Sequence, residues 1–424
     1  MNLTIEKMIY GGDGLARGPE GKAVFVPFVL PGEEAAVTIL EEKTGFARAT
    51  LNQLLRSSET RIEAACPYFG QCGGCHYQHT GYPAQVEIKR AILRETLQRI
   101  AKFNWPNEIV AHSAEPWNYR NRTRMKVRGG EHFALGYHRN SSHNLLPVKQ
   151  CPISSPAINR VVQHLWQLGE AGGVPQGITE IEVFADHADS GLLLEIYVFP
   201  GAPEMLEFAR DLQVRAPEIK GISLFTQQPA RAGGFGLELK QAMGAPFLNY
   251  KVGDKTFRVS AGSFFQTNRH LVRDLVQTVL ADASGRTALD LYAGVGLFAT
   301  HLAKRFEQVF AVESSPVSAG DLEANAPKNV TAVRATAEQF LPKCHNLRPD
   351  LVVVDPPRAG LGDKAAKLLA SLRVPKIAYL SCDPTTLARD LRLFLEGGYR
   401  VEDVQLIDLF PQTFHIESLV RLVR

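Results

Sequence analysis

In residues 1–57, hydrophobic and polar positions alternate over short runs that end at glycine or proline turns. The runs are LTIEKMIY, AVFVPFV, EAAVTILEE and FARATLNQLL, and the turns lie at residues 11–14, 17–18 and 31–32. Several short strands at this spacing predict a small β-barrel of the OB-like kind. Such barrels bind oligonucleotides in many proteins, but a purely structural cap has the same pattern.

A different pattern begins near residue 287, where apolar strands alternate with glycine turns and helices. TALDLYAGVGLFATHLAKRF predicts a strand, a glycine-rich turn and a helix, and VFAVESSP predicts the next strand. Alternating strands and helices favour an α/β fold with a doubly wound, Rossmann-like sheet. We assign residues 263–424 to this domain. Residues 58–262, with a helical run from Gln85 to Lys102 and further β-rich segments, form a predicted central domain.

The glycine turn of the C-terminal domain predicts a nucleotide-type ligand. Gly294 and Gly296 allow a sharp turn, and Glu313 follows at about the 20-residue spacing at which an acid holds ribose hydroxyls. The third glycine of the dinucleotide motif is missing, because Leu297, Phe298 and Ala299 follow Gly296. With fewer phosphates to bind, S-adenosylmethionine is the expected ligand rather than a dinucleotide.

Two later strands end in chemically active residues. RPDLVVVDPPRAGL presents Asp355, and KIAYLSCDPTTLARDL presents Cys382. Ligands of open α/β sheets bind at the carboxyl ends of the strands, so Glu313, Asp355 and Cys382 are expected to face one pocket. A helix beginning after Cys382 would favour its thiolate, although a buried cysteine without chemical function is the usual alternative.

Four other cysteines form a candidate metal site. Cys66, Cys72 and Cys75 lie close together, and Cys151 lies far downstream. Four thiolates could hold zinc or an iron–sulfur cluster, and the C-x5-C spacing is wider than the one usual for zinc fingers. The neighbouring residues His76 and His79 are not needed to complete a four-ligand site, and Cys344 has no evident partner.

Composition adds bounds rather than a function. A length of 424 residues suggests two or three domains, and the formal net charge is only +3. The segment from Glu115 to Arg139, however, contains six Arg or Lys residues and only two Glu. This basic strip either contacts phosphates or forms a solvated strand face. With no signal-peptide pattern and no run of about 18 apolar residues, we expect a cytoplasmic protein without a membrane span and with reduced thiols.

Five segments together resemble the RNA uracil-C5 methyltransferases, which make 5-methyluridine. They are AGSFFQTN, LDLYAGVGL, VVVDPPRAGL, LSCDPTTLARDL and FPQTFHIESLVRL. The N-terminal barrel is similar to the TRAM domain of the branch acting on 23S ribosomal RNA, and the four cysteines are similar to that branch's [4Fe-4S] site. The resemblance therefore implies 23S rRNA as the partner of a monomeric enzyme. Archaeal transfer-RNA enzymes also carry both features, so tRNA remains the alternative.

The resemblance implies a role for individual residues. Cys382 matches the nucleophile that adds to C6 of uracil, and Glu417 matches the base that removes the C5 proton. The positions matching cofactor contacts are Gln266, Tyr292, Glu313, Thr336 and Asp355. Leu297 replaces an Asn of some relatives, LSCDP departs from S-C-N-P, and FPQT departs from F-P-H-T. The role of His415 stays open.

Two other classes of function remain possible from the sequence. The chain could methylate a small molecule or a protein, with the cysteine segment as a scaffold, although the barrel and the basic strip argue against this. It could instead be an RNA-binding assembly factor without activity. Against that second possibility, Cys382, Glu417, Gln266 and Asp355 are all present together.

Overall fold

The computed structural model describes residues 1–202, 205–229, 235–344 and 346–424. The barrel predicted at the N-terminus is confirmed as a closed sheet with the strand order β1-β2-β3-β5-β4. Its strands are β1 (Asn2–Met8), β2 (Asp13–Arg17), β3 (Ala23–Pro27), β4 (Glu34–Glu42) and β5 (Phe46–Arg56). Alternate residues such as Leu3, Ile5 and Val26 fill the interior, as the period of two in the sequence requires.

The segment after the barrel packs on the C-terminal sheet. It holds three cysteines in turns, followed by α1 (Tyr82–Ile100) and the short strand β6 (Val110–His112). Strand β6 pairs in parallel with the C-terminal strand that contains Gln405, and Leu93 and Leu97 of α1 join the hydrophobic core beneath that sheet. Residues that the sequence assigns to the central segment therefore cover one side of the C-terminal domain.

A seven-stranded sheet forms the centre of the molecule, in the order β13-β12-β11-β10-β7-β8-β9. Its strands are β7 (Arg122–Arg128), β8 (Ala134–His138), β9 (Leu145–Pro147), β10 (Ile178–Ala185), β11 (Leu192–Val198), β12 (Ile219–Pro229) and β13 (Phe235–Gly244). Helices α2 (Pro156–Glu170) and α3 (Leu206–Arg215) pack on it. Strand β11 is buried along its whole length, which explains its largely apolar sequence LLLEIYV, interrupted only by the buried Glu195.

The basic strip lies on β7 of this sheet and is largely neutralised. Arg122 and Arg124 form ion pairs with Glu182, and Arg124 and Lys126 form ion pairs with Glu180, both on the adjacent strand β10. Neither alternative from the sequence, a strip that contacts phosphates or a solvated strand face, included this pairing of the three cations with acids of β10. Periodicity could not reveal this, because the pairing acids come from a strand more than 50 residues later.

The C-terminal domain is the predicted doubly wound sheet, with the order β18-β17-β16-β19-β20-β22-β21-β6. A hairpin, β14 (Phe247–Val252) and β15 (Lys255–Ser260), precedes it. The strands are β16 (Gly285–Leu291), β17 (Phe306–Glu313), β18 (Val330–Arg334), β19 (Leu351–Val354), β20 (Lys376–Ser381), β21 (Arg400–Ile407) and β22 (Glu417–Val423). The helices are α4 (Val272–Val279), α5 (Leu297–Leu302), α6 (Pro316–Asn325), α7 (Ala337–Phe340), α8 (Gly362–Ser371) and α9 (Pro384–Glu396). Within the part of the chain described, no helix has the length and apolarity needed to cross a membrane.

A loop of residues 408–416 joins β21 to β22. Its position is fixed by hydrogen bonds that its backbone carbonyls accept from other parts of the chain. Asn268 Nδ2 donates to the carbonyl oxygen of Leu409 at 3.1 Å, and Lys89 Nζ donates to that of Phe410 at 2.9 Å. Tyr119 Oη donates to the carbonyl oxygen of Pro411 at 3.1 Å. The backbone N–H groups of residues 76 and 77 both donate to the carbonyl oxygen of residue 412, at 2.8 and 3.0 Å. Four consecutive carbonyls of the 408–416 loop are thus held by residues from the preceding part of the chain.

A fully buried ion pair fixes the start of this loop. Lys89 Nζ on α1 lies 2.6 Å from Asp408 Oδ1, and neither side chain has any exposed surface. A charge buried in this way is stable only while its partner is present, because water cannot replace the lost interaction.

We predict that Lys89→Met lowers the free energy of unfolding by about 3–5 kcal/mol, because it leaves the Asp408 carboxylate buried without a counter-charge. Urea unfolding followed by intrinsic fluorescence measures the change. The matched control is Arg392→Gln, which breaks the exposed pair between Arg392 and Glu396 on α9 and should change little. Equal, small effects of both substitutions would contradict the importance of the buried pair.

Candidate active site

Strand register places the predicted site residues along one edge of the C-terminal sheet. Leu291 of β16 pairs with Val312 of β17 and with Val354 of β19, all in parallel. Tyr292 and Asp355 therefore leave the sheet side by side, and Glu313 ends the neighbouring strand. The register brings together the strand-end residues that the sequence predicted for a ligand pocket.

Cys382 and Glu417 meet across an antiparallel pair. Ser381, the last residue of β20, pairs with Ser418 of β22. Continuing this register by one residue places Cys382 opposite Glu417, although the two are far apart in sequence. Consistent with this proximity, the Glu417 carboxylate is one of the charges that raise the pKa of the Cys382 thiol.

The Cys382 thiol is partly buried, and its surroundings disfavour the thiolate. Burial, followed by the charges of Glu417 and Asp355, raises its pKa to about 12. The expectation that the following helix stabilises a thiolate is therefore wrong. The reason is that Asp383 is the N-cap of α9, and its Oδ1 accepts the N–H groups of Thr385 and Thr386 at 2.8 and 3.2 Å.

The Glu417 carboxyl is buried, with 4% of its surface exposed, and its Oε1 has no hydrogen-bond partner among the described residues. Burial, then the charge of Asp355, raises its pKa well above the ordinary value. A buried, unpartnered carboxyl oxygen is poorly solvated and has a high affinity for a proton. This arrangement suits a group that accepts a proton near neutral pH.

Asp355 and Gln266 form a fixed polar pair beside this carboxyl. Gln266 Nε2 donates to Asp355 Oδ2 at 3.0 Å, which opposes the effect of burial that raises the pKa of Asp355 to about 7. The backbone of Gln266 is held in turn by Asn121, whose Nδ2 donates to the Gln266 carbonyl oxygen at 2.9 Å. Asn121 thus connects the central sheet to the candidate site.

The glycine turn and Glu313 support each other. Gly294 N–H donates to Glu313 Oε2 at 2.9 Å, and Ser315 N–H donates to Oε1 at 2.7 Å, which fixes the direction of the carboxylate. Gly296 has φ 93°, and a Cβ there would lie 2.8 Å from Leu322 Cδ1. The turn therefore requires glycine at this position for both conformation and space.

Asp290 is a buried residue at this turn that the sequence analysis missed. Its Oδ2 accepts the Ala299 N–H at 2.8 Å, so it holds the start of α5, while Oδ1 has no partner among the described residues. Burial is the largest cause that raises its pKa to about 8, and the charges of Asp355 and Glu313 add to it. The sequence signal that could have revealed Asp290 is an acidic residue inside the largely apolar segment TALDL.

The remaining two predicted cofactor residues lie at the same edge of the sheet. Tyr292 has φ 62°, a left-handed conformation that is strained for a bulky residue and is often found at functional sites. Thr336 is exposed and caps α7, with its Oγ1 accepting the Gln339 N–H at 3.3 Å. Its hydroxyl thus has a local structural partner, and a contact with a cofactor stays a prediction.

An aromatic cluster from all three parts of the chain borders the site. The rings of Tyr10 and His76 lie 5.5 and 4.6 Å from that of Phe414, which lies 4.3 Å from that of His415. The guanidinium of Arg358 also approaches His415, with Nη2 at 3.2 Å from Nε2. His415 therefore packs against aromatic and cationic neighbours close to the segment that carries Glu417.

The four predicted ligand cysteines line a single cavity. Its wall includes Cys66, Cys72, Cys75 and Cys151. Burial raises the pKa of the first three thiols, to about 12 for Cys75, and the charge of Cys151 adds to each shift. In the described ranges, no group of three or more His, Cys, Asp or Glu side chains forms a ready-made site for a metal ion.

Arg120 lines the same cavity and forms no ion pair with an Asp or Glu in the part of the chain that the structure describes. Its Nε is buried without a hydrogen bond among the described residues. Burial disfavours the charged guanidinium, but nearby phenols and thiols, including Cys75 and Cys151, still raise its pKa. Because its neighbours are thiols and phenols rather than carboxylates, the Arg120 guanidinium creates a positive potential in the cavity.

Two family models match the chain. The model of tRNA (uracil-5-)-methyltransferases matches residues 81–424, and the model of the TRAM domain matches residues 1–51. The first begins just before α1, so it includes the helix and strand that cover the C-terminal sheet.

Individual relatives match over the whole length. An uncharacterised RNA methyltransferase of Aquifex aeolicus is 34% identical over 100% of this chain and 98% of its own. Another, of Halalkalibacterium halodurans, is 31% identical over 100% of this chain and 96% of its own. The solved structure of Pyrococcus abyssi tRNA (uracil-54, C5)-methyltransferase with S-adenosyl-L-homocysteine has a TM-score of 0.77 at 24% identity, covering 100% of both chains. This last likeness confirms the fold.

We predict that alkylation of Cys382 by iodoacetamide in the RNA-free protein rises about tenfold per pH unit between pH 7 and 10, because only the thiolate reacts. Mass spectrometry of the Cys382 peptide measures the rate. Glu417→Gln should increase the rate at alkaline pH, because it removes a charge that raises the thiol pKa. A rate that levels off near pH 8.5, the ordinary cysteine pKa, would contradict the burial effect.

Proposed function

The chain belongs to the tRNA (uracil-5-)-methyltransferase family, and on this premise we propose that it methylates C5 of an RNA uridine through a covalent Cys382 adduct. The protein is an S-adenosylmethionine-dependent RNA methyltransferase with an N-terminal TRAM domain. The single observation that carries the covalent mechanism is the register that sets Cys382 opposite the buried Glu417.

The proposed reaction divides a difficult substitution into two steps. The Cys382 thiol gives up its proton to water, its sulfur forms a bond to C6 of uracil, and the electron pair of the C5–C6 double bond moves onto the C4 carbonyl to give an enolate. S-adenosylmethionine, when bound, supplies the methyl group that C5 takes up. Glu417 then removes the C5 proton, the double bond re-forms, and the C6–sulfur bond breaks to release Cys382.

The charges of the site suit this order of events. The RNA-free site disfavours a Cys382 thiolate, because the sulfur is partly buried and lies beside the carboxyl groups of Glu417 and Asp355. The nucleophile therefore becomes active when substrate fills the site and accepts the charge as an enolate. The raised pKa of Glu417 makes its carboxylate a strong proton acceptor for the later step.

The substrate uridine must leave its base stack, because sulfur and methyl group act on adjacent ring atoms that a helix shields. We assign the binding of flanking RNA to the barrel and the central domain. The paired cations of β7 make this contact less electrostatic than the sequence suggested. We propose that the reaction takes place in the cytoplasm.

Two RNA classes are candidates for the substrate. We propose 23S rRNA, from the resemblance of the barrel and cysteine segment to the ribosomal branch. Transfer RNA is the second candidate, because the P. abyssi enzyme named for tRNA uracil-54 matches the fold over the full chain, including the barrel. The barrel alone therefore does not distinguish the two.

We further propose that the cysteine cavity holds a [4Fe-4S] cluster. Two observations support this proposal: the four cysteines line one cavity, and Arg120, whose Nε has no hydrogen-bond partner among the described residues, supplies a cation there. Cys66, Cys72, Cys75 and Cys151 would bind iron as thiolates, and Arg120 would balance their charge. The cluster would supply a rigid covalent link between the turn at residues 66–75 and the segment at residue 151 that precedes α2. No step of the methyl transfer requires it.

We predict that Cys382→Ala abolishes turnover and adduct formation, whereas Glu417→Gln accumulates a protein–RNA adduct because the C5 proton stays in place. The assay uses labelled S-adenosylmethionine and total RNA from a strain lacking the enzyme, with mapping of the labelled uridine and a denaturing gel for the adduct. Cys344→Ala, a buried cysteine elsewhere, should keep activity. If the label appears in tRNA, tRNA rather than rRNA is the substrate. If Glu417→Gln forms no adduct, Glu417 is not the base.

We predict that Arg120→Met lowers the iron and acid-labile sulfide content of protein purified without oxygen, because the cluster's negative charge would lose its buried counter-charge. The control is Arg128→Met, whose guanidinium is exposed and bonds only to a loop carbonyl. Elemental analysis and absorbance measure the content. Wild-type protein that contains zinc and no iron would overturn the cluster, and full loading of Arg120→Met would overturn the role of Arg120.

A further inference from the structure

The turn between β1 and β2 brings one barrel residue into the candidate active site. Tyr10 lies at its tip, and the turn is closed by backbone hydrogen bonds from Ile9 N–H to the Asp13 carbonyl at 2.9 Å and from Gly12 N–H to the Ile9 carbonyl at 3.2 Å. Gly12 also packs on His76, since a Cβ there would lie 3.1 Å from the His76 Cβ. The turn thus has a defined shape and packs at a fixed position against the cysteine segment.

Tyr10 bonds to the residue that follows the nucleophile. Its Oη donates to Asp383 Oδ2 at 3.1 Å. The other oxygen of Asp383 accepts N–H groups of α9, so each oxygen of the carboxylate has its own partner. Because Asp383 is covalently attached to Cys382, the position of this carboxylate limits where the thiol can lie.

The same tyrosine also contacts the segment that carries the base. Its ring meets that of Phe414 edge to face, with centroids 5.5 Å apart and planes at 87°. Phe414 lies three residues before Glu417 and packs on His415. One residue of the barrel therefore contacts both segments of the proposed catalytic pair.

We propose that Tyr10 is a positioning residue: through Asp383 and Phe414 it sets the relative position of Cys382 and Glu417, so that the barrel completes the active site. This proposal rests on the proposed function. It assigns the barrel a role in the chemical step beyond RNA binding.

The amino acid at position 383 makes this link specific to a donor such as tyrosine. This chain has an aspartate directly after Cys382, and an aspartate carboxylate accepts hydrogen bonds without donating any. Without Tyr10, Asp383 Oδ2 would lose its hydrogen bond in a half-buried position. Asparagine at 383 would present an amide there, with donor and acceptor both available, and would depend less on the tyrosine hydroxyl.

The test uses Tyr10→Phe, which removes the hydroxyl and keeps the ring on Phe414, and Tyr10→Leu, which removes both. We expect Tyr10→Phe to lower kcat about tenfold, the size of one lost hydrogen bond to a charged group, with KM for RNA unchanged. Tyr10→Leu should lower kcat further. On an Asp383→Asn background, Tyr10→Phe should have a smaller effect, since the two changes act on one contact.

A second measurement does not depend on the RNA reaction. In RNA-free protein, Tyr10→Phe should increase the rate of Cys382 alkylation at fixed pH, because the loop carrying the thiol is freed. The control is Thr38→Val, which removes a different hydroxyl of the barrel, bonded to Asn52 on its exposed side, and should change neither quantity.

The outcomes are distinguishable. A Tyr10→Phe variant with wild-type kcat and alkylation rate overturns the proposal, and so does a change confined to KM, which would make Tyr10 an RNA contact only. If Tyr10→Phe changes the rate of Cys382 alkylation but the wild-type protein methylates no RNA, the positioning role of Tyr10 is upheld and the proposed function is rejected.

Discussion

The buried pair between Lys89 and Asp408 is the constraint on which the catalytic half of the molecule depends. It fixes α1 to the end of β21, where the 408–416 loop begins. The same Lys89 ammonium also holds the carbonyl of Phe410, and Tyr119 and the backbone of residues 76 and 77 hold the two carbonyls after it. The path of the chain into Glu417 is therefore set largely by elements outside the C-terminal sheet.

This dependence gives the cysteine segment a mechanical role. Tyr119, which donates to the loop at Pro411, lies next to Arg120 in the wall of the cysteine cavity. His76, directly after Cys75, donates its N–H to residue 412 and packs on Phe414. Any group that binds the four thiols would stiffen the same residues that hold the loop. A non-redox cluster would in this way influence a reaction in which it takes no part.

Much of the molecule was predictable because its signals are local. The barrel followed from alternation, and the strand-end residues followed from the rule that parallel strands meet at one edge. Contacts between distant segments were not predictable in this way. The acids that neutralise β7 lie on β10, the partner of Asp383 lies in the barrel, and Asp383 takes the helix N–H groups that Cys382 was expected to use. Each error came from a residue whose competing partner has no sequence signature.

The register between β20 and β22 limits where the chain can tolerate insertions and deletions. Cys382 and Glu417 face each other only because Ser381 pairs with Ser418. A slip of one residue in β22 would turn Glu417 to the opposite face of the sheet. Deletions inside β22 would thus separate the pair while leaving every catalytic side chain present. Active members of such a lineage should accumulate their insertions and deletions elsewhere, such as at the exposed turns of the barrel.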